Sequence, residues 1–160
     1  MSIDVTQTPP QLEAWVSFLR AHAAITRELS VQLQREHGLT LNDYEVLLRL
    51  SRADERRLRR VDLAQRVLLT ASGITRLLDG LERSGFVCKE TCATDARVSY
   101  AKLTDEGLEK LKRASITHLR GVDEQFVARY SAPELVTLAE LLSRLPLAGT
   151  DSKPGSPPCS

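Results

Sequence analysis

Proline is absent from Gln11 to Ala132, and this gap constrains the fold of the chain more than any other feature of its sequence. Because proline breaks a helix from within, its absence allows long helices throughout the stretch. Leucine recurs there at steps of three and four residues, which is the spacing of one apolar helix face. The sequence therefore predicts a chain built mainly from amphipathic helices.

Length and composition predict one domain and exclude several classes of protein. The 160 residues fit a single domain of roughly 100–200 residues. With 42% hydrophobic and 27% charged residues, the chain can bury a core, unlike a disordered tail. No apolar run reaches the roughly 18 residues that a membrane helix needs, and the pattern of a secretory signal is missing from Met1 to Pro10. We therefore expect a cytoplasmic protein without membrane contact.

Cap residues divide the first part of the chain into two helices. Pro9–Pro10 predict the start of the first helix, and Gly38 predicts its end. Thr40 followed by Asp43 predicts a capping box for the second helix, whereas Ser51–Arg60 is too polar and charged to belong to a core. The apolar stripe of the first helix consists of Leu12, Trp15, Val16, Leu19, Ala23, Leu29 and Leu33.

Similar residues predict two helices near the carboxyl end. Thr104 predicts the N-cap of a long helix that ends near Arg129, and Ser131 with Glu134 predicts a second capping box. The predicted apolar positions of the two helices are Leu108, Leu111, Leu119, Val122 and Phe126, followed by Leu135, Leu138, Leu142 and Leu145. Together with the first helix, these stripes exceed what one small domain needs for its own core, which favours a dimer.

The middle of the chain predicts a helix-turn-helix. Val61–Val67 forms a short helix, and Ala71–Ser84 forms a second one with Thr70 as N-cap and Gly85 just past its end. The second helix has an apolar stripe at positions i, i+3, i+4 and i+7, namely Ile74, Leu77, Leu78 and Leu81. Its other face is polar, as a helix-turn-helix requires, and carries Ser72, Thr75, Arg76, Asp79 and Arg83.

A β-hairpin is predicted directly after these helices. Phe86–Glu90 and Val98–Leu103 are short runs rich in β-branched and aromatic residues, and the small, polar loop Thr91–Arg97 joins them. We call this hairpin and its loop the wing. Residues 52–102, which include the helix-turn-helix and the wing, carry a net charge of +4, whereas the rest carries −3. A polyanionic partner would meet this middle segment, although a solvated basic face would also explain the charge.

These elements, in this order, resemble the MarR family of bacterial transcriptional regulators. The resemblance covers residues 11–147 and depends on the motifs Asp62–Ala64, Ser72–Val87, Asp95–Arg97 and Leu103–Gly107. It implies a mainly α fold with a small β-hairpin wing (α+β), in which a winged helix-turn-helix is framed by long dimerisation helices. The implied bounds are residues 40–104 for the winged helix-turn-helix, 10–37 and 105–146 for the framing helices, 1–147 for the single domain and 148–160 for a disordered tail.

The resemblance also implies a function and a set of DNA-binding residues. A homodimer would bind a palindromic operator in double-stranded DNA and act as a repressor, with the recognition helix in the major groove and the wing in the minor groove. Arg97 would contact DNA, and Asp95 would hold the wing loop, although a surface ion pair is the alternative for Asp95. The implied DNA-binding residues are Ala71, Ser72, Gly73, Thr75, Arg76, Asp95 and Arg97. Gly73 departs from the family, which usually has a small hydroxyl residue there.

Regulators of this family commonly respond to small aromatic ligands, and four residues are candidates for such a site. They are Trp15, Phe18, His22 and Arg49. For the Trp15 and Phe18 rings, however, core packing is the favoured interpretation and ligand binding is the alternative. Cys88 and Cys92 predict a second mode of regulation, by thiol oxidation, because the neighbouring Lys89 can lower a thiol pKa. We find no catalytic, cofactor-binding or metal-ligand pattern, and therefore expect a regulator rather than an enzyme.

Overall fold

The structure is a computed structural model that describes residues 9–67, 69–92, 94–95 and 97–146. It contains six α-helices and three β-strands within these residues. In chain order the elements are α1 (Pro10–His37), α2 (Leu41–Ser51), β1 (Arg57–Arg59), α3 (Arg60–Arg66), α4 (Ala71–Arg83), β2 (Val87–Thr91), β3 (Ser99–Leu103), α5 (Asp105–Gln125) and α6 (Ala132–Leu142). The predicted fold class, mainly α with a small β wing, is confirmed.

The predicted helix caps are present in the structure. Gly38 ends α1 in the left-handed conformation at φ 67°, which glycine adopts without a Cβ penalty. Thr40 and Asp43 form the capping box of α2, since the Thr40 hydroxyl accepts from the Asp43 N–H at 3.1 Å. Ser131 and Glu134 form the corresponding box of α6. Local sequence therefore determines where these helices begin and end.

The strand β1 lies inside Ser51–Arg60, whose sequence predicts only a polar segment outside the core. It pairs antiparallel with β3, which also pairs with β2, so the sheet order is β1–β3–β2. Leu58 is partly buried against the core, while its neighbours Arg57 and Arg59 lie on the other face. The strand was missed because a three-residue strand obtains its stability from its partner, which lies far along the chain.

The core lies between α1, α2, α3, α4, α5 and the inner face of the sheet. Its most deeply buried side chains are Leu33, Val46, Leu47, Leu50, Leu63 and Leu78. At Gly121, α5 approaches α1 so closely that an added Cβ would lie 2.7 Å from Leu29 Cδ2. The prediction for α5 was wrong at its end, since the helix ends at Gln125 rather than near Arg129. Leu119, one of its predicted apolar positions, is 64% exposed within one chain. The buried face instead includes Gly107, Leu111, Ala114, Thr117 and Gly121.

The apolar residues near the two ends of the described chain remain exposed. In α1 the stripe is buried only at its carboxyl end, around Leu29 and Leu33, while Trp15 is 55% exposed and Phe18 is 40% exposed. Core packing within one chain, the favoured interpretation for these two rings, is therefore wrong. The other exposed apolar side chains include Leu12 and Leu19 of α1 and Val136 and Leu141 of α6. Leu145, just past the end of α6, is exposed as well.

Some segments for which the sequence makes predictions lie outside the described residues. The tail predicted for residues 148–160 lies outside them, as do Ala93 and Ala96 of the wing loop. Among the described helices, none is long and apolar enough to cross a membrane.

Candidate nucleic-acid interface

The helix α4 is the predicted recognition helix, and its sequence explains both its start and its orientation. The Thr70 hydroxyl accepts from the Gly73 N–H at 3.1 Å, which caps the helix. The inner stripe is buried, with Ile74, Leu78 and Leu81 exposed by only 2–3%. Because the stripe fixes the rotation of the helix about its axis, the opposite face is directed away from the core.

That opposite face is polar and open to solvent. Ser72, Thr75 and Arg76 are all exposed, and no described residue forms an ion pair with Arg76. Asp79, one turn further along, lies 3.5 Å from the guanidinium of Arg60 at the start of α3. The predicted residues Ser72, Thr75 and Arg76 therefore lie together on one accessible surface. The structure does not describe the Ala71 side chain, and Gly73 is half-buried beneath Thr70, the N-cap residue.

The end of α4 is attached closely to the start of α5. Gly85 has φ 77°, and its carbonyl oxygen accepts from the Thr104 hydroxyl at 2.6 Å. An added Cβ at Gly107 would overlap the carbonyl oxygen of Phe86. These contacts leave little freedom between the recognition helix and α5, so the two are positioned as one unit.

The wing loop places one arginine far into solvent. The Arg97 side chain is 92% exposed, and its Nε lies 3.2 Å from Asp95 Oδ1. The same carboxylate oxygen accepts from the Arg97 N–H at 3.0 Å, which closes a local turn. The Cys92 N–H donates to the Val98 carbonyl at 3.0 Å across the base of the loop. Asp95 thus supports the loop and also orients the Arg97 side chain.

Four arginines between positions 56 and 60 surround β1, and the sequence reasoning did not assign them a role. Each pairs with an acidic residue of another element or turn, and Arg59 makes a two-pronged contact with Asp62 at 2.8 and 3.1 Å. The hydrogen bonds that Arg59 donates to Asp62 raise the pKa of Arg59. The remaining pairs include Arg56–Asp105 at 3.0 Å, Arg57–Glu90 at 3.3 Å and Arg60–Asp79 at 3.5 Å. Their density in the sequence was visible, but the partners of Arg56, Arg57 and Arg60 are distant along the chain.

The four candidate ligand-binding residues do not form one cleft. Trp15, Phe18 and His22 form a row on α1 with ring centroids 6.3 Å apart, and both Trp15 and Phe18 are exposed. Arg49 lies on α2 and pairs with Glu45 at 3.0 Å. Within one chain, Arg49 therefore lies on a different helix from the three rings, and its ion-pair partner Glu45 lies on α2 as well.

A polar cluster that the sequence reasoning missed joins α5 to α2. The His118 ring stacks on Tyr44 with centroids 4.5 Å apart, and the Tyr44 hydroxyl lies 3.2 Å from Ser115 Oγ. His118 Nδ1 is buried without a hydrogen-bond partner, and burial lowers the pKa of His118. Periodicity could not identify this cluster, since it describes single helices and not the polar contacts between them.

A second polar cluster joins α5 to α1. The Thr117 hydroxyl is shared between His37 Nε2 and Glu36 Oε2, each at 2.8 Å, and Arg120 Nη2 lies 2.6 Å from Glu36 Oε1. The hydrogen bond from Thr117 is the main cause that lowers the pKa of Glu36. Burial is the main cause that lowers the pKa of His37, and the charge of Lys110 adds to it.

The two cysteines of the wing differ in accessibility. Cys88 is exposed, whereas Cys92 is buried and its sulfur lies 3.2 Å from Thr94 Oγ1. Cys92 follows the end of β2 at Thr91, and four residues of extended chain would separate the two Cα atoms by roughly 13 Å, beyond the reach of a direct disulfide. Regulation by thiol oxidation stays a prediction. Within the described residues, no cluster of potential metal ligands occurs.

Comparison with known proteins agrees with this geometry. The model of the MarR family matches residues 37–98. The uncharacterized HTH-type transcriptional regulator YkoM of Bacillus subtilis (strain 168) is 32% identical over 109 residues, which are 68% of this chain and 69% of YkoM. The HTH-type transcriptional repressor YetL of the same organism is 32% identical over 68% of this chain and 64% of YetL.

A solved structure extends the similarity to nearly the whole described chain. Sco3205, a MarR family transcriptional regulator from Streptomyces coelicolor solved in complex with DNA, superposes with a TM-score of 0.79 at 31% identity. The match covers 86% of this chain and 90% of Sco3205. These relatives are regulators and not enzymes, which confirms that expectation. The chain belongs to the MarR family of transcriptional regulators.

Proposed function

We propose that the protein is a homodimeric regulator that binds a palindromic operator in double-stranded DNA. The observation that carries this proposal is the arrangement of α4, whose buried stripe leaves Ser72, Thr75 and Arg76 exposed on one face. A helix with this surface fits the major groove, where its first turns meet base edges. Sco3205, whose fold is similar over 86% of this chain, was solved with DNA.

In this proposal the side chains divide into base-reading and positioning groups. Arg76 can donate two hydrogen bonds to guanine, and the hydroxyls of Ser72 and Thr75 can contact bases or phosphates. Ala71 and Gly73 allow the backbone to approach the groove. Arg97 extends from the wing toward the minor groove, where narrowing strengthens the negative potential, and Asp95 holds it in place.

Dimerisation is supported by the apolar surface of α1 and α6. Trp15 at 55% and Val136 at 60% exposure belong to stripes that a soluble monomer would leave in water. A two-fold dimer would cover these stripes and present two α4 helices to the two halves of a palindrome.

The regulatory outcome in the proposal is repression in the cytoplasm, where bacterial operators are found. YetL, a relative at 32% identity, is named a repressor. A small aromatic ligand would modulate DNA binding by favouring one spacing of the two recognition helices. Trp15, Phe18, His22 and Arg49 remain the proposed ligand contacts. Since one chain does not bring them together, such a site would need the second protomer.

The test is DNA binding by purified protein and matched variants. Duplex fragments retained from random DNA define the operator, and anisotropy titrations then compare wild type with Arg76→Ala, Arg97→Ala and Asp95→Ala. Arg76→Ala should cost roughly 1–3 kcal/mol per half-site and relax preference at one base. Arg97→Ala should weaken binding most at A·T-rich flanks, and Asp95→Ala should weaken it less.

Lys112→Ala is the matched control. Lys112 is 60% exposed on α5 and pairs with Glu109, so this variant removes one positive charge away from α4 and the wing. We expect it to bind the operator as the wild type does. If none of the three interface variants binds more weakly than this control, the proposed interface is wrong.

A further inference from the structure

One side chain spans the outer face of the three-stranded sheet. Arg57 lies on the edge strand β1, and its guanidinium carbon is 5.1 Å from the ring centroid of Tyr100 on β3. Its Nη1 lies 3.3 Å from Glu90 Oε1 on β2. Arg57 therefore contacts both strands of the wing from a strand that does not belong to the wing.

The pairing register explains why these three side chains meet. Glu90 is directly opposite Tyr100, and Arg57 is opposite Lys102, two residues from Tyr100 on the same face. Diagonal neighbours of this kind are within reach of a long side chain. Lys102 Nζ lies 3.6 Å from Glu90 Oε2 and so pairs with the other oxygen of the same carboxylate. We call Arg57, Glu90 and Tyr100 the stem clamp.

The stem clamp lies immediately below the wing loop. In the direction of the loop, the pair Glu90–Tyr100 is followed by Thr91–Ser99, which is the last residue pair of the two strands, and the loop begins at Cys92. A rotation of the hairpin about β1 would break the contacts of Arg57 with both strands. The clamp therefore limits the direction in which the loop, and with it Arg97, extends from the sheet.

The Arg57 guanidinium is poorly placed to bind DNA phosphate itself. Its side chain is only 19% exposed, and a second acidic residue, Glu55, pairs with its other terminal nitrogen. Two carboxylates thus offset the charge of this one cation. Arg97, by contrast, is 92% exposed. Arg57 is therefore suited to hold the wing in place, whereas Arg97 is the cation that the wing exposes to solvent.

We propose that Arg57 is a positioning residue for DNA binding, which acts on DNA only through the direction of the wing. This inference rests on the proposed role of Arg97 in DNA binding. It adds a residue outside the predicted interface, on a strand that periodicity did not reveal. Because the guanidinium must contact a flat ring and a carboxylate at once, lysine cannot replace it.

A double-mutant cycle with Arg97 tests the proposal. Operator affinity is measured for wild type, Arg57→Gln, Arg97→Ala and the double variant, after thermal unfolding shows that each is folded. Arg57→Gln alone should weaken binding by roughly threefold to tenfold, and it should have almost no further effect when Arg97 is already absent. Arg57→Lys should behave like Arg57→Gln if the clamp matters, and like wild type if only charge matters.

Glu90→Gln provides a second test with an opposite electrostatic expectation. Loss of a negative charge near DNA should by itself tighten binding, whereas loss of the clamp should weaken it. Weaker binding by Glu90→Gln therefore supports the proposal, and tighter binding overturns it. Glu109→Gln on α5, where the carboxylate is 60% exposed, is the matched control for removing one carboxylate.

The outcomes separate this proposal from the one on which it rests. If Arg97→Ala binds as tightly as wild type, the role of the wing and the clamp proposal are both wrong. If Arg97→Ala binds more weakly but the effects of Arg57→Gln and Arg97→Ala add independently, only the clamp proposal is overturned. If Arg57→Gln alone weakens binding and the double variant binds no more weakly than Arg97→Ala, both proposals are supported. If Arg57→Gln alone binds as the wild type does, the clamp proposal is overturned.

Discussion

The apolar stripe of α4 and that of the amino-terminal half of α1 have the same spacing, but the first is buried and the second is exposed. In α4 the stripe is buried within the chain, with Leu78 exposed by 2%. In α1 the stripe begins with Leu12, Trp15 and Leu19, which are exposed by 44–55%. Periodicity predicts an apolar face in both cases, but it does not say what covers the face. The chain itself covers the stripe of α4, and we propose that a second chain covers the stripe of α1.

The strongest way to test the α4 side of this comparison is Leu78→Ala. Loss of a fully buried leucine removes apolar contacts and leaves a cavity, so the free energy of unfolding should fall by about 3 kcal/mol. Urea unfolding at several fixed protein concentrations measures it. The loss should be the same at each concentration, because Leu78 packs within one chain; a loss that vanishes on dilution would contradict this interpretation.

Trp15→Glu tests the α1 side. A charge placed in a dimer interface should reduce the free energy of association by roughly 2 kcal/mol or more. Sedimentation should show a wild-type dimer at micromolar concentration and a shift of the variant toward a monomer near 17.8 kDa. Val61→Glu is the control, because Val61 is an apolar side chain that is 62% exposed on α3, outside the predicted dimerisation helices. A monomeric wild type would show that α1 is not covered by a second chain.

The two glycines of α4 sharpen the comparison on a smaller scale. An added Cβ at Gly80 meets no atom within 4 Å, so Gly80→Ala should stabilise the protein by about 1 kcal/mol through helix propensity. At Gly73 the Cβ would lie 3.1 Å from Thr70 Oγ1, which caps the helix. Gly73→Ala should therefore gain less than Gly80→Ala in the same unfolding experiment. Equal gains would mean that the cap accommodates a methyl group freely.

The smallest expected effect concerns His118, which joins α5 to α2. Burial lowers its pKa below the ordinary value, so the unfolded chain binds more protons than the folded one as the solution becomes acidic. The free energy of unfolding should consequently fall as the pH drops below about 6.5. His118→Phe keeps a ring against Tyr44 and should make this dependence shallower below about pH 6.5. His37, whose pKa is also lowered, is present in both proteins. Identical slopes would contradict the prediction.

Local residue patterns predicted the parts of the site that depend on neighbours in the chain. These parts are the α4 cap at Thr70, the buried stripe of α4 and the loop that carries Arg97, and the structure contains all three. Their DNA contacts remain proposals. The stem clamp could not be predicted, since Arg57 is separated from Glu90 and Tyr100 by more than thirty residues.

The sequence by itself determined the helices, their caps, the helix-turn-helix and the resemblance to the MarR family, because these depend on spacing and on residues a few positions apart. Only the tertiary structure decided that Arg57–Arg59 is a strand, that Leu119 is exposed and that His118 stacks on Tyr44. It also decided which apolar faces the chain covers itself and which it leaves exposed. The physical reason is that burial and pairing depend on partners far along the chain or outside it, whereas helix propensity and capping do not.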